Sequence, residues 1–516
     1  MYNYSNSSFG SDVLGYDQIF LDWITNEYGG IVTVHNYETV EEMINKGKKI
    51  YYPLFSDRSH IEIFKNTPKD VITVVGMNAI KNFNGLKFVG SLSNLAHLAI
   101  RNSTLNEWPS SISGLYDLTI LDISFNNLKE LPGFICNLSK LTYLNLDFNN
   151  LTELPCPIGS LSNLTTLLIT GNGLNELPEF IGNLSKLATL ALSGNELTEL
   201  PESIGRLSKL GSLSVSNNEL SELPASIGGL SKLTHLDASF NNISELPESI
   251  GRLSNLAFLG LNNNKLKKLP DFFVKLPKLE VLDISRNNLN GLTGRFIGGL
   301  SNLTHLSLNF NNITELPDFI GGLSNLTFLG ASNNNLKELP DFIGGLSNLA
   351  FLDVSSNNIK ELPSSIGSLN KLTFLDLSNL SLSIIPRAVT DLGLPFTLAG
   401  NAPTMGGVRL YNTKLLNMDI SLFEQPLPII KDFYDNITEI NECKLIFLGE
   451  GEVGKTSIIE RMVHPEYEIV KNRPPTNGIR IEKYTKKISG KEINLRIWDF
   501  GGQEIMHTMH KCFMTS

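Results

Sequence analysis

The middle of the chain repeats a pattern of about 23 residues, and this period restricts the folds that the chain can adopt. Aligned on LxxLxLxxNxL, asparagines follow one another at steps of 23 residues, with a single step of 24. A unit this short cannot bury its own apolar side chains, so consecutive copies have to stack. The period therefore predicts an elongated solenoid. The recurring positions, called the ladder asparagines below, are Asn126, Asn149, Asn172, Asn195, Asn218, Asn241, Asn264, Asn287, Asn311, Asn334 and Asn357.

Each copy divides into a strand and a return segment. Leu141 and Leu144 are predicted to point into the coil, while the ELPxxIGxL stretch crosses back over the convex side. Each ladder asparagine can bond the backbone of adjacent turns, because an unpaired buried polar group costs about 1–3 kcal/mol. Ser103 and Leu380 continue the register at the two ends. We interpret residues 71–400 as a leucine-rich-repeat solenoid of about 13 repeats of 23 residues.

The regions that flank the repeats are less regular. Residues 1–70 match no motif, and their YDQIFLDWITNEY segment has the spacing of a helix that would cap the first repeat. Residues 401–440 are interpreted as a linker, in which LPIIKDFYDNITEI predicts a short amphipathic helix. Near Asn287, LNGLTGRFIGG replaces the usual LxELPxxIGG and adds one residue, which we interpret as a tolerated insertion.

Recognition is predicted to lie on the concave face, because alternation along a strand sends the residues between the buried leucines to that side. An aromatic column on a solvated sheet is typical of an interaction surface, although the rings would also cover their neighbours along the sheet. We predict that this face binds a protein or a peptide. Six positions before the ladder position, the ring column contains Tyr143, His235, Phe258, His305, Phe328, Phe351 and Phe374. Four positions before it, the carboxylate column contains Asp122, Asp237, Asp283, Asp353 and Asp376.

Charge and composition argue against several function classes. The chain carries a net charge of −10, and residues 441–516, with 12 Lys/Arg and 10 Asp/Glu, contribute none of this excess. An acidic array repels phosphate backbones, so no nucleic-acid partner is expected. No apolar run reaches the roughly 18 residues of a membrane span. The four cysteines have neither paired nor metal-ligand spacing. We therefore expect a cytoplasmic protein without a transmembrane segment.

The C-terminal segment contains a phosphate-binding pattern. CKLIFLG predicts a buried strand, GEGEVGKT at 449–456 a glycine-rich loop, and TSIIERMV a helix. Gly449 and Gly454 allow backbone amides to curl around phosphates at the N-terminus of that helix. Lys455 is placed to reach the outer phosphates, and the Thr456 hydroxyl is placed to ligate Mg²⁺. A strand, a loop and a helix in this order are the context that such a motif requires.

Two further motifs follow, PTNGI at 475–479 and WDFGGQE at 498–504. Between them, GIRIEKYTKKISGKEINLRIWDF predicts two strands of an antiparallel hairpin. Asp499 fits the acidic residue that holds Mg²⁺, usually through a water molecule. Thr476 is placed to ligate Mg²⁺ when a γ-phosphate is present. Three ordered motifs make a nucleotide site a much more specific prediction than one glycine-rich loop.

The last residues of the predicted site follow Asp499. The Gly502 amide can bond a γ-phosphate, and Gln503 is the candidate for positioning an attacking water. His507 and His510 lie three residues apart, but two histidines without a third ligand are more typical of a surface than of a metal site. The residues predicted to contact nucleotide are Gly449, Glu450, Gly451, Glu452, Val453, Gly454, Lys455, Thr456, Ser457, Thr476 and Gly502. Those predicted to hold Mg²⁺ are Thr456, Thr476 and Asp499.

CKLIFLGEGEVGKTS together with WDFGGQEIMHTMHKCFMTS resembles the Roc domain, the Ras-like GTPase of ROCO proteins, in which leucine-rich repeats precede Roc. The resemblance implies an α/β chain: a leucine-rich-repeat solenoid followed by the first half of a Ras-like P-loop GTPase domain, here residues 441–516. It also implies a GDP/GTP switch, guanine specificity and Mg²⁺ dependence. GTP hydrolysis, with Gln503 as the catalytic residue, is expected of a full-length family member.

A Roc domain of this family continues into an NKxD-type base-reading segment and a COR domain, which the 516 residues do not include. Without the base-reading segment, discrimination between bases is expected to be poor. A homodimer is expected only where a COR domain follows. Two hypotheses remain from the sequence. One is a GTP-binding signalling protein whose repeats bind a protein and regulate the switch. The other is a leucine-rich-repeat interaction scaffold with a non-functional GTPase remnant.

Overall fold

The computed structural model divides the chain into two compact units, Met1–Lys431 and Asp432–Ser516. The described residues are 50–53, 60–65, 72–78, 95–103, 105–108, 110–270, 275–292, 300–399, 406–436, 442–447, 455–463, 478–488 and 491–501.

The first unit is built on one long sheet, to which each repeat contributes one short strand. Four strands precede the first ladder asparagine: β1 Ile50–Pro53, β2 His60–Lys65, β3 Ile72–Asn78 and β4 His97–Arg101. The strands of the regular repeats are β5 Ile120–Asp122, β6 Tyr143–Asn145, β7 Thr166–Leu168, β8 Thr189–Ala191, β9 Ser212–Ser214, β10 His235–Asp237, β11 Phe258–Gly260, β12 Val281–Asp283, β13 His305–Ser307, β14 Phe328–Gly330, β15 Phe351–Asp353 and β16 Phe374–Asp376. Four further strands follow: β17 Ser381–Leu382, β18 Phe396–Thr397, β19 Gly407–Arg409 and β20 Lys414–Leu415.

Short helices return the chain between strands, and in most regular repeats this is one turn of 3₁₀-helix that follows a proline. These turns are Ser110–Gly114, Gly133–Asn137, Cys156–Ser160, Glu179–Asn183, Glu202–Arg206, Ala225–Gly229, Glu248–Arg252, Asp318–Gly322, Asp341–Gly345 and Ser364–Ser368, with a later one at Ile420–Glu424. Two α-helices follow the regular repeats, α1 Arg387–Asp391 and α2 Leu427–Asn436. Helix α2 confirms the helix predicted in the linker.

The repeats stack in parallel and in strict register. His235 of β10 pairs with Phe258 of β11, and the leucines of consecutive strands, such as Leu236 and Leu259, pair in the same way. These leucines are fully buried. Because each repeat places its leucines directly on those of the next, the core runs through the whole array. The predicted solenoid is therefore confirmed.

The ladder asparagines join adjacent repeats through their amide groups. The Asn241 Oδ1 atom accepts a hydrogen bond from the Leu220 amide of the preceding repeat at 3.0 Å. Its Nδ2 atom donates to the carbonyl oxygens of Val215, Ala238 and Ser239 at 3.0–3.2 Å. The side chain is 7% exposed, so every one of these bonds is shielded from water. The architectural role predicted for these residues is confirmed by this geometry.

The N-terminal edge of the sheet changes from parallel to antiparallel pairing. Strand β3 pairs in parallel with β4, whereas β2 pairs antiparallel with both β1 and β3. Strand β3 thus continues the sheet of the regular repeats. At the other edge, β19 pairs in parallel with both β16 and β18. The helix predicted near the start of the chain lies outside the described residues, and so do residues 293–299 of the repeat that contains the one added residue.

Glycines of the return turns allow neighbouring repeats to approach closely. A Cβ atom at Gly344 would lie within 3.0 Å of the Ser365 carbonyl oxygen and 2.8 Å from the Ser365 Cβ atom. We expect Gly344→Ala to lower the free energy of unfolding by about 1–3 kcal/mol, because the repeats would have to separate. Urea denaturation followed by circular dichroism measures this change.

The next residue provides the control. A Cβ atom at Gly345 would have no described heavy atom within 4 Å. Gly345→Ala is therefore expected to be neutral or to stabilise the protein by up to about 1 kcal/mol, since alanine restricts the unfolded chain. Equal destabilisation by both substitutions would contradict the proposed contact and point instead to a general intolerance of alanine in the turn.

Candidate functional site

The described strands of the second unit form a three-stranded mixed sheet. They are β21 Glu442–Phe447, β22 Gly478–Ile488 and β23 Lys491–Gly501, and β23 lies in the centre. Strand β22 pairs antiparallel with β23, which confirms the predicted hairpin. Strand β21 pairs in parallel with β23, and this register sets Phe447 opposite Asp499.

A helix follows the first strand of this sheet in the chain. Strand β21 ends at Phe447, and helix α3 spans Lys455–Val463 and packs against β23. The side chain of Ile459 in α3 is 1% exposed. The strand and the helix predicted on the two sides of the glycine-rich motif are therefore present. Lys455 and Thr456 lie in the first turn of α3, and Asp499 lies near the carboxyl end of the strand beside β21.

Several residues of the predicted nucleotide site lie outside the described part of the chain, and their roles stay predictions. These are Gly449, Glu450, Gly451, Glu452, Val453, Gly454, Thr476, Gly502 and Gln503, together with His507 and His510. Of the site residues, the backbone positions of Lys455, Thr456, Ser457 and Asp499 are described. Among the described residues, no three His, Cys, Asp or Glu side chains form a group that would hold a metal ion.

On the concave face of the first unit, the rings of the ring column stack on one another. The Phe328 and Phe351 ring centroids are 4.5 Å apart with planes inclined by 11°, and those of Phe351 and Phe374 are 4.7 Å apart and inclined by 18°. His305 continues the stack beside Phe328 at 5.8 Å. The set His305, Phe328, Phe351 and Phe374 is called the C-terminal ring stack. A separate stack is formed by His235 and Phe258 at 4.1 Å.

Arginines pair with the two outermost aspartates of the carboxylate column. The Arg101 guanidinium makes an ion pair with Asp122, which is fully buried. The Arg409 Nη1 atom lies 3.4 Å from the Asp376 Oδ2 atom. The Arg409 Cζ atom lies 5.7 Å from the centroid of the Phe374 ring. The charges of these two aspartates are therefore compensated within the protein. Within this column, the negative charge that a partner could meet lies at Asp237, Asp283 and Asp353.

Asp353 lies directly beside the C-terminal ring stack. Its Oδ1 atom accepts hydrogen bonds from the Ser355 amide at 3.0 Å and the Ser355 hydroxyl at 2.7 Å. Burial raises the pKa of the Asp353 carboxyl, and the nearby charge of Asp376 raises it further, although the bonds from Ser355 oppose this shift. The carboxylate makes no ion pair among the described residues. It is thus a partly desolvated charge without a compensating cation in this part of the chain.

Family models match both units. The model of "Ras of Complex, Roc, domain of DAPkinase" matches residues 444–516. The model of the leucine-rich repeat region matches residues 133–196, 179–242 and 277–394, and two other leucine-rich-repeat models match 231–289 and 117–138. The chain is a ROCO-family protein. Roc is a Ras-like GTPase domain, which implies guanine-nucleotide binding.

Known proteins resemble different parts of this ROCO chain. A Roc-COR-CHAT protease from an unknown prokaryotic organism is 32% identical over 90 residues, which are 16% of this chain and 8% of that protein. Ras-related protein Rab-21 of Mus musculus is 40% identical over 68 residues, 13% of this chain and 29% of Rab-21. The structure of a leucine-rich-repeat protein of Leptospira interrogans matches with a TM-score of 0.62 and 31% identity, covering 70% of this chain and 92% of that one. The ROCO chain spans less than a third of either of these two curated relatives.

Sequence reasoning missed a second row of aromatic residues, directly before four ladder asparagines. Their backbone lies in the left-handed region, with φ between 52° and 56°, which bulky residues rarely adopt. Their exposed fractions lie between 39% and 45%. Other repeats of the ROCO chain place Gly171 or Asn217 there, and both residue types adopt this conformation more readily. The row consists of Phe125, Phe148, Phe240 and Phe310.

The described part of the ROCO chain contains no helix that is long and apolar enough to cross a bilayer.

Proposed function

We propose that this ROCO protein is a GTP-binding signalling protein in which the Roc domain is a GDP/GTP switch, and the repeats bind a protein partner and regulate that switch. The proposal is carried by the register that sets the end of β21 opposite Asp499, with α3 beginning at Lys455 after the intervening loop. Ligands of parallel α/β sheets bind at the carboxyl ends of strands, and helix N-termini bind phosphates. Both features occur here beside the glycine-rich loop.

The residues at this position fit a nucleoside triphosphate. Backbone amides at the start of α3 are suited to phosphate oxygens, and the Lys455 ammonium adds a full positive charge. Hydroxyl and carboxylate oxygens are the ligands that Mg²⁺ prefers, and Thr456 and Asp499 supply one of each. Thr476 would add a second hydroxyl, and Gln503 would orient the water that attacks the γ-phosphate. When bound, Mg²⁺ neutralises charge on the β- and γ-phosphate oxygens.

The repeats supply the partner-binding part of the proposal. Their concave face carries stacked rings beside carboxylates, and it continues across many strands of one sheet. A surface of this kind has the aromatic content and the extent of a protein interface. Partner binding would regulate the switch if it favours one nucleotide state, which requires different partner affinities in the GDP and GTP forms.

A nucleotide titration tests the GTP-binding part. The complete gene product is titrated with a fluorescent GTP analogue in the presence of Mg²⁺, and unlabelled GTP, GDP and ATP are added as competitors. We expect saturable binding that GTP and GDP displace at much lower concentrations than ATP. Removal of Mg²⁺ with a chelator should weaken the binding of GTP.

The opposite result would favour an interaction scaffold. Absence of saturable binding by a folded, monodisperse preparation would overturn the proposed switch. Displacement by ATP as efficient as displacement by GTP would retain a phosphate site but overturn guanine specificity. Regulation is tested separately, by measuring the affinity of an identified partner for the GDP-bound and the GTP-bound protein.

A further inference from the structure

The three phenylalanines of the C-terminal ring stack present ring edges to the solvent, because neighbouring side chains cover their ring faces. Phe351 lies between Phe328 and Phe374, with nearly parallel planes at 4.5 and 4.7 Å. The outer face of Phe374 is covered by the Arg409 guanidinium, and Phe328 is covered on its other side by His305. The three phenylalanines are half-buried and therefore reach the concave surface. A partner that lies on this face meets their edges.

Exposed edges select a particular chemistry. The edge of an aromatic ring carries the positive part of its quadrupole, whereas the face carries the negative part. A cation is attracted to a ring face, and here those faces are occupied, so the stack is a poor site for a cation. An aromatic side chain of a partner can set its own face against these edges in a T-shaped arrangement. The stack therefore favours an aromatic residue of a partner.

A cation is favoured one step further along the strand. Asp353 lies two residues after Phe351 in β15, and both side chains are on the same face of the sheet. Its in-register neighbours are Gly330, which has no side chain, and Asp376, whose charge Arg409 compensates. The Asp353 carboxylate is partly desolvated and has no ion-pair partner among the described residues. A lysine or arginine of a partner would supply the missing charge.

The site that favours an aromatic side chain and the site that favours a cation are two residues apart along β15. Residues i and i+2 of a strand lie roughly 7 Å apart on one face, and so do residues i and i+2 of an extended partner. We propose that the C-terminal ring stack and Asp353 together bind an extended protein segment in which one residue separates an aromatic side chain from a lysine or arginine. This inference rests on the proposed function, since it specifies the partner that the repeats bind.

Synthetic peptides test the pairing of an aromatic residue with a cation. The probe is a fluorescent peptide with three copies of Arg-Ser-Trp-Ser-Arg joined by glycines, which offers both orders of the two residues. The control peptides carry Gln or Glu at each Arg position. By fluorescence anisotropy, we expect the protein to bind the Arg peptide roughly tenfold more tightly than the Gln peptide, and the Glu peptide most weakly.

Matched variants of the protein locate the binding. Phe351→Thr removes the central ring, and Thr166 and Thr189 already occupy the same column position in other repeats. Asp353→Asn removes the charge, and Asn145 shows that asparagine fits this column, because its Oδ1 atom accepts from the Asp147 amide at 2.9 Å. Phe240→Asn removes an exposed phenyl outside the stack. Asparagine adopts the same backbone conformation at positions such as Asn217.

We expect Phe351→Thr to weaken binding of the Arg and Gln peptides about tenfold, and Asp353→Asn to abolish most of the preference for Arg over Gln. Phe240→Asn should leave both affinities unchanged. An unchanged preference in Asp353→Asn would overturn the inference, as would equal losses in Phe351→Thr and Phe240→Asn or equal binding of the Arg and Glu peptides. GTP binding is measured on the same samples. Failure of the peptides with intact GTP binding would therefore overturn this inference and leave the nucleotide site standing.

Discussion

Lys455→Ala is expected to lower the affinity of the protein for GTP by about 10- to 100-fold. The lysine stands at the start of α3, where its ammonium is proposed to pair with the outer phosphates. Hydrogen bonds to charged groups contribute about 1.5–3 kcal/mol, and each 1.4 kcal/mol corresponds to a tenfold change in affinity. Isothermal titration calorimetry with Mg²⁺-GTP measures the change directly.

A second lysine of the same unit serves as the control. Lys487 lies in β22, where its backbone is in register with Glu492 of β23. It is not part of the predicted nucleotide site. Lys487→Ala should bind GTP as the unchanged protein does. If Lys455→Ala retains full affinity, or if both variants lose it equally, Lys455 does not have the proposed role. Circular dichroism spectra of both variants check that the fold is intact.

The strand and the helix on either side of the glycine-rich motif could be predicted from the sequence because their signals are local. A glycine-rich loop between an apolar strand and a helix specifies a backbone shape over a few residues, and the structure places β21 and α3 accordingly. The position of Asp499 is a non-local property. It depends on the parallel pairing of β23 with β21, two strands that α3 and β22 separate in the chain and that no single motif relates. The order of the three motifs was the only sequence signal for it.

The concave face could be predicted only in outline. The period of the repeat gives the columns, because equivalent residues of neighbouring copies lie beside each other. It does not give the contacts between side chains. That Arg101 neutralises Asp122 and Arg409 neutralises Asp376 follows from strands at the two margins of the array, where the repeat pattern has faded. Asp353 differs from Asp122 and Asp376 in that no described arginine or lysine makes an ion pair with it, and only the three-dimensional structure shows this difference.

Backbone conformation was the least visible property. The pattern LxxLxLxxNxL predicts buried leucines and an ordered asparagine, but it does not show that the preceding residue adopts a left-handed conformation. Asn217 and Gly171 suggest such a conformation, whereas Phe148 argues against it. The closely packed glycines are similarly hidden. Gly344 and Gly345 are adjacent residues of the same type, yet only Gly344 faces the backbone of the next repeat.

The ladder asparagines should show the largest effect on stability. Asn241→Ala is expected to lower the free energy of unfolding by about 2–4 kcal/mol. It leaves the Leu220 amide without its acceptor, and it removes one of the two side-chain amide donors that the Val215 and Ala238 carbonyls each have. Each unsatisfied buried group costs about 1–3 kcal/mol. Urea denaturation monitored by circular dichroism measures the loss.

The distribution of the loss is as informative as its size. Stability of a solenoid is roughly a sum over repeats and their interfaces, so a defect in the middle of the array should uncouple the repeats on its two sides. We therefore expect the unfolding transition of Asn241→Ala to broaden or to split into two steps. Asn242→Ala changes the adjacent, partly exposed residue and should retain a single transition near the original midpoint. A uniform shift of one sharp transition in Asn241→Ala would mean that cooperativity extends through the defect, and that the asparagine ladder is not the main coupling between repeats.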